Sequence, residues 1–329
     1  MKINNKDNNI INEFFCERQI AQRTRYGYTD SFKLYINFTK MHLYDLLDEA
    51  ETEEESGIRW KKRSLKEKLL GFRAYLQQHY KFGTIKVHFN RIKTFYTHYE
   101  IEIGFIPSIN IRAVNKNEPI TYDDIPSKAL LRECVGYADP LMKAIILFMT
   151  SSGCARNETL NLTILDFITA TSNYHNGGNT LEIVDVLMAQ DNVVPLFQIH
   201  RDKTNKYYYT FCTPEATRAI CEYLKKSGRN FNKGHNQHLL FKINHDKLHN
   251  EFKKLNREVN AGQVSGYNKI RSHMLRKFHA SRLYNDGLSI DKIDALQGRS
   301  KDNTHKAYFK ESPESLKELY KKHMMAVTI

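Results

Sequence analysis

Between Ile10 and Ile103 the large apolar residues return at the spacing of one helix face, and at Gly104 that rhythm stops. Ile20, Tyr28, Phe32, Tyr35, Ile36 and Phe38 make a first stripe, continued by Leu43, Leu46 and Leu47. After an acidic stretch, Glu51–Gly57, a second helical pair follows. Leu65, Leu69, Leu70, Phe72 and Leu76 form one stripe, and Ile85, Phe89, Ile92, Phe95, Tyr96 and Tyr99 form the other. Gly83-Thr84 reads as the break and N-cap between them. Stripes of this kind are buried by packing on one another, so residues 1–104 are expected to form a small all-helical bundle. The segment Gly104–Pro119, GFIPSINIRAVNKNEP, has two prolines, several asparagines and no period. It marks residues 105–119 as a linker and 120–329 as a second domain. A chain of 329 residues suits two domains of ordinary size.

The second domain reads differently. Thr121-Tyr-Asp-Asp opens a helical region that leads to Ala144–Met149, the longest apolar run. That run is far shorter than a bilayer requires, so it is expected to be a buried helix and no membrane partner is expected. The stretches 181–187 and 207–211 are rich in β-branched or aromatic residues and read as strands, with residues 201–206 as a polar turn. Helices are expected again from Pro214 onwards. The fold class is therefore mainly α with a small β-sheet. Five scattered cysteines (Cys16, Cys134, Cys154, Cys212, Cys221) form no CxxC pair, which argues against a disulfide framework or a zinc ribbon. The opening residues MKINNKDNNI contain no apolar signal core, giving the expectation of a cytoplasmic, nucleoid-associated protein.

Charge narrows the choice of partner. Fifty Lys and Arg face 37 Asp and Glu, a net charge of +13. Residues 1–114 hold 19 basic and 14 acidic side chains, and seven of those acids lie in Asp45–Glu55. Residues 115–329 hold 31 basic and 23 acidic side chains. Both parts are basic, as expected if both grip one long polyanion.

Four separated segments carry residues suited to a phosphodiester. Ser152-Gly-Cys-Ala-Arg156-Asn-Glu158 places an arginine just after a glycine turn; alone, it is a capped helix with a surface arginine. His200-Arg-Asp-Lys203-Thr-Asn-Lys206 puts Lys203 at a hairpin tip, where a lysine often only solubilises an edge. His273-Met-Leu-Arg276 sets two cationic donors three apart on one helix face, which core packing does not explain. Leu296-Gln-Gly298-Arg299 precedes Tyr308 by a short spacer.

In order, spacing and flanks these segments resemble the tyrosine-recombinase (phage-integrase) family. That family's signature runs from an Arg after a glycine turn, through a hairpin Lys and a His-x-x-Arg helix, to a Leu-Gly-His/Trp turn and a Tyr nine residues on. Here Arg156, Lys203, His273 and Arg276 come in that order, and Tyr308 lies nine residues after Arg299. Thr213-Pro-Glu-Ala216 also matches the family's strand-to-helix junction. The resemblance covers about residues 120–325, and the helical bundle resembles the family's core-binding domain. Two departures stand out. Arg156 is three residues after Gly153 rather than two, and Arg299 occupies the usual His/Trp position.

The resemblance implies a two-domain, C-shaped clamp on double-stranded DNA: the helical core-binding bundle and a mixed α/β catalytic domain. It also implies a homo-oligomer, a tetramer on two DNA sites, held partly by a C-terminal helix; Ser312-Pro-Glu and Leu316, Leu319 and Tyr320 provide cap and stripe for such a helix, or equally for one packed on its own chain. Arg156, His273, Arg276 and Arg299 would then donate to the non-bridging oxygens. Tyr308 would attack to form a 3′-phosphotyrosine, and Lys203 would protonate the leaving sugar oxygen. No cofactor and no metal are expected. Two rivals share the resemblance: a type IB-like topoisomerase, acting without pairing sites, and a catalytically inactive DNA-binding relative. A metal-dependent nuclease or transposase would instead show clustered carboxylates.

Overall fold

The computed structural model describes residues 2–109, 118–202, 205–228, 238–299 and 312–329. The chain divides into two compact units, Met1–Glu118 and Pro119–Ile329, each with its own hydrophobic core.

The first unit is a bundle of α1 (Asn5–Glu17), α2 (Gln22–Thr39), α3 (Leu43–Glu55), α4 (Ser64–His79) and α5 (Phe82–His98). The expected stripes face its centre: Phe32, Tyr35, Ile36, Leu69, Phe72, Leu76, Ile92, Phe95 and Tyr96 are buried. Aromatic rings meet edge-on there, as Phe32 on Phe95 and Tyr35 on Phe72, with centroids 4.9 Å apart in both pairs. The hydroxyls of Tyr35 and Tyr96 satisfy each other at 3.2 Å. One carboxylate ties two helix starts together. Asp7 is fully buried and caps α1 through Asn4, accepts from the Leu43 amide at 2.8 Å, and meets His42 Nδ1 at 2.6 Å.

One local expectation is corrected. Gly83 and Thr84 are not a break: α5 begins at Phe82, and the chain turns instead at Tyr80 and Lys81, whose backbone is extended. The acidic stretch from Glu51 belongs to α3 as far as Glu55, because opposite charge holds its last turns. Glu49 meets Lys68, Glu54 meets Arg63 at 3.3 Å, and Glu53 accepts from the Ser64 amide at 3.0 Å. Residues 101–109 lie along this unit: Trp60 Nε1 donates to Phe105 O at 3.0 Å, and Arg73 donates to Pro107 O.

The second unit is built on α7 (Pro140–Ser152), whose residues from Ala144 to Ser152 are all buried. Around it stand α6 (Lys128–Tyr137), α8 (Arg156–Asn161), α9 (Ile164–Ala170) and α10 (Thr180–Met188). A hairpin of β1 (Leu196–Arg201) and β2 (Lys206–Phe211) follows, with Leu196 opposite Phe211 and Arg201 opposite Lys206. Then come α11 (Pro214–Lys226), α12 (His245–Glu258), the short pair β3 (Gln263–Val264) and β4 (Tyr267–Asn268), α13 (Ser272–Asn285), α14 (Ile290–Leu296) and α15 (Pro313–His323).

The strand expected at 181–187 is a correction: these residues form α10. Asn179 accepts from the Leu181 and Glu182 amides at 3.0 Å, and Glu182 returns to the Asn179 amide at 2.9 Å. Ile183, Val184 and Leu187 are buried at helical spacing, so capping and period override the β-branched composition. The C-terminal α15, capped by Ser312 with Pro313 in its first turn, packs on its own chain. Tyr320 is fully buried and donates to Ser151 O at 2.9 Å.

Replacing Asp7 by Ala leaves the amides it satisfied without a partner in a dry site. Asp7→Ala should therefore lower unfolding stability by about 2–4 kcal/mol, read by chemical denaturation. A loss within about 0.5 kcal/mol, the range of ordinary surface substitutions, would refute this role.

Candidate active site

The site is assembled where α7 ends. Gly153 takes a left-handed backbone (φ 65°), and its amide closes α7 onto Met149 O at 3.1 Å. The chain then turns into α8, with Arg156 at the helix start and Glu158 accepting from the Ala155 amide at 2.6 Å. Helix ends leave carbonyls without partners inside the helix. Here three distant elements supply them. Tyr320 donates to Ser151 O, Thr210 donates to Ser152 O at 2.7 Å, and Arg276 donates to Gly153 O at 2.5 Å.

Arg276, on α13, is 6% exposed and commits two of its five N–H donors to main-chain carbonyls. Nη1 donates to Gly153 O and Nη2 to Gln297 O, each at 2.5 Å. Glu158, 8% exposed, is the counter-charge, 3.5 Å from Arg276 Nη1 and 3.5 Å from Arg201 Nε. Arg201 in turn donates to Gly298 O at 2.5 Å. Two successive carbonyls of the turn after α14 are thus each held by an arginine, and one carboxylate balances both. Tyr208 completes the cluster by donating to Glu158 at 2.9 Å; burial pushes its hydroxyl far up, so it stays protonated. Gly298 is also left-handed (φ 60°), and a Cβ there would lie 2.4 Å from the Tyr208 ring. The turn therefore needs glycine for both backbone and space.

Beside this cluster opens a recess of about 360 Å3 whose lining includes Arg156, His249, Tyr267, Arg271, His273 and Arg276, and no carboxylate. Arg271 lies over the Tyr267 ring, 5.4 Å from its centroid, and donates to Asn268 O. Loss of part of its hydration, then the charges of Lys277, Arg271, Arg299 and Arg276, hold the His273 imidazole below its ordinary range. At neutral pH it is uncharged and offers one ring N–H. Three guanidiniums and two imidazoles with no acid among them suit a multiply coordinated oxyanion.

The sequence-expected residues thus separate into three groups. Arg156, His273 and Arg276, spread over 120 residues of sequence, share the recess. Arg299 lines a different hollow of about 400 Å3, with Tyr122, Ser281, Tyr284, Ile290 and Asp294. Burial, then the Arg276 charge, hold its guanidinium below the usual range, which places it electrostatically near the recess. Lys203 and Tyr308 lie outside the described residues. Sequence reasoning missed Glu158, Arg201, Gln297, Arg271 and His249. Glu158 did have a signal, being the sole acid between Ser152 and Leu162. Among the described residues no group of three His, Cys, Asp or Glu could hold a metal ion, and no helix is long and apolar enough to cross a membrane.

The model of the phage integrase family matches residues 129–315, which takes in every residue lining the recess. The chain belongs to the phage integrase family. Solved structures similar to this integrase-family chain include the XerH site-specific recombinase bound to palindromic difH substrate, at 16% identity and TM-score 0.55 over 93% of this chain and 82% of that one. The Tn1549 transposon integrase in complex with circular intermediate DNA matches at 13% identity and TM-score 0.51, over 95% and 98%. At these identities the likeness is one of fold. No curated protein matches the chain.

One feature of this family member's site has a pH signature. His279 on α13 is fully buried behind Gly153, and burial, then the charges of Arg276 and Arg299, push it down to about 3. A depressed value means the fold excludes the protonated ring. Its contribution to stability is complete above the unfolded imidazole range and is lost as pH falls from about 6.5 towards 3. His279→Leu should flatten the stability–pH curve in that window relative to the unmodified protein, read by denaturant unfolding at a series of pH values. Parallel curves would show that His279 does not titrate against the fold.

Proposed function

We propose that this chain is a site-specific DNA recombinase, or integrase, that cleaves and rejoins duplex DNA through a covalent 3′-phosphotyrosine at Tyr308. The carrying observation is the convergence of Arg156, His273 and Arg276 on one recess free of carboxylates. A phosphodiester under attack gathers negative charge on its non-bridging oxygens, and donors fixed beforehand around that position stabilise it without reorganising. Family membership supports placing a scissile phosphate there.

In this reading Arg156 and Arg276 bind the two non-bridging oxygens and neutral His273 adds one hydrogen bond. Arg276 holds its orientation through Gly153 O and Gln297 O. Tyr308 supplies the nucleophilic oxygen and loses its phenol proton to water: the O–P bond forms as the bond to the 5′ sugar oxygen breaks, and Lys203, between β1 and β2 in sequence, gives that oxygen a proton. Reversal by a sugar hydroxyl rejoins the strand, so the phosphotyrosine conserves the bond and no nucleotide triphosphate is consumed. Tyr320 is fully buried with its hydroxyl donating to Ser151 O, and Tyr284 sits in the second hollow. The basic surplus in both parts of the chain supplies the phosphate contacts that dominate affinity for DNA. The proposed working assembly is four copies on two duplex sites, in the cytoplasm with the nucleoid.

Tyr308→Phe removes only the attacking oxygen. On a nicked suicide duplex it should abolish the detergent-resistant protein–DNA adduct and leave affinity within about threefold, since a neutral hydroxyl adds little to phosphate binding. Because side chains handle the charge, cleavage by the unmodified protein should persist in excess EDTA. Adduct formation by the Phe variant, or cleavage lost to EDTA and restored by Mg2+, would sink this mechanism.

A further inference from the structure

Gln297 and His279 carry no role in the proposed chemistry, yet both are fully buried against it. The Gln297 side chain donates from Nε2 to Arg276 O at 3.0 Å and to His279 Nδ1 at 2.9 Å. Its own backbone carbonyl accepts from Arg276 Nη2. Arg276 and Gln297 are therefore clamped reciprocally: each side chain bonds the main-chain carbonyl of the other. His279 keeps the Gln297 amide aimed, since its Nδ1 occupies the second amide proton. The imidazole stays neutral and so keeps the lone pair this bond requires.

Among the described residues this arrangement leaves two polar atoms, His279 Nε2 and Gln297 Oε1, buried without a partner. Orphaned buried polar atoms destabilise, and an apolar pair of similar volume would avoid them. Stability alone does not account for a polar pair at this place. Its geometry acts on the direction of the Arg276 guanidinium and on the carbonyl of the turn leading to Arg299.

We propose that Gln297 and His279 form a positioning pair that sets the Arg276 guanidinium and the 297–298 turn for phosphodiester cleavage, exchanging fold stability for a fixed donor geometry. This rests on the recombinase reading above, because Arg276 matters to rate only if the recess takes the scissile phosphate. Neither residue touches the substrate; both act through Arg276.

The test compares Gln297→Met, His279→Leu and the double variant with the unmodified protein. Gln297→Met removes the amide and keeps the length. It should slow single-turnover cleavage at saturating protein by about tenfold to a hundredfold, the range a small misplacement of a catalytic donor produces. DNA affinity should change less than about threefold, because the phosphate contacts that dominate it are elsewhere. The double variant removes both of these orphans and should match or exceed the unmodified protein in Tm while remaining slow. Recovery of rate together with Tm would reduce the pair to a structural core contact and overturn the proposal, as would an unchanged rate in Gln297→Met. A second readout needs no activity. In 15N-arginine NMR the unmodified protein should show separate, slowly averaging Hη signals for Arg276, and Gln297→Met should merge them. If the unmodified protein forms no adduct, the recombinase reading fails by itself. The NMR arm then decides the proposed positioning: merged signals support it and unchanged signals overturn it.

Discussion

The second unit is organised around one buried guanidinium. Arg276 joins the end of α7, the start of α8 and the turn after α14 through Gly153 O, Glu158 and Gln297 O. A charge taken out of water is tolerated only when its donors are used and a counter-charge is near. Both conditions are met here by backbone carbonyls and by a carboxylate that Tyr208 and Arg201 also hold. Removing the guanidinium would leave Glu158 and two carbonyls short of partners, a loss on the order of 3–5 kcal/mol. Arg276 is thus tied into the fold, and under the proposed function a truncated side chain there would report on fold and chemistry at once. Arg156 and His273, less enclosed than Arg276, would separate the two effects better.

Most of the architecture was legible because helical period and caps are local. The stripes of the first unit, the buried run at 144–149, the Thr213-Pro214 and Ser312-Pro313 helix starts and the strand at 207–211 all stand as the sequence suggests. Two readings fail. At 181–187 β-branched composition pointed to a strand, but the Asn179/Glu182 capping box and the Ile183–Leu187 spacing fix a helix. At Gly83 a glycine looked like punctuation, yet the turn is made by two extended residues before it. Composition lost to capping and helical period in the first place and to backbone conformation in the second.

The site was legible in part. Arg156, His273 and Arg276 could be found because they lie in short patterned segments, and folding brings them together. Glu158, Arg201 and Gln297 were not found, since their roles exist only in three dimensions: they act on carbonyls and charges contributed by distant segments. Nothing in Gln297 or His279 as letters distinguishes a positioning pair from ordinary polar residues. Arg299 shows the converse case, a residue placed by motif whose side chain lines the neighbouring hollow while its charge reaches the recess.

The central claim is that the recess presents a phosphate to Tyr308. The direct measurement is mass-spectrometric mapping of the residue joined to DNA after trapping on a nicked suicide duplex. The account predicts one cross-linked tryptic peptide, containing Tyr308 bonded to the 3′ phosphate at the nick. A peptide carrying Tyr284 or Tyr320 instead, or cleaved DNA with no attached peptide, would contradict it.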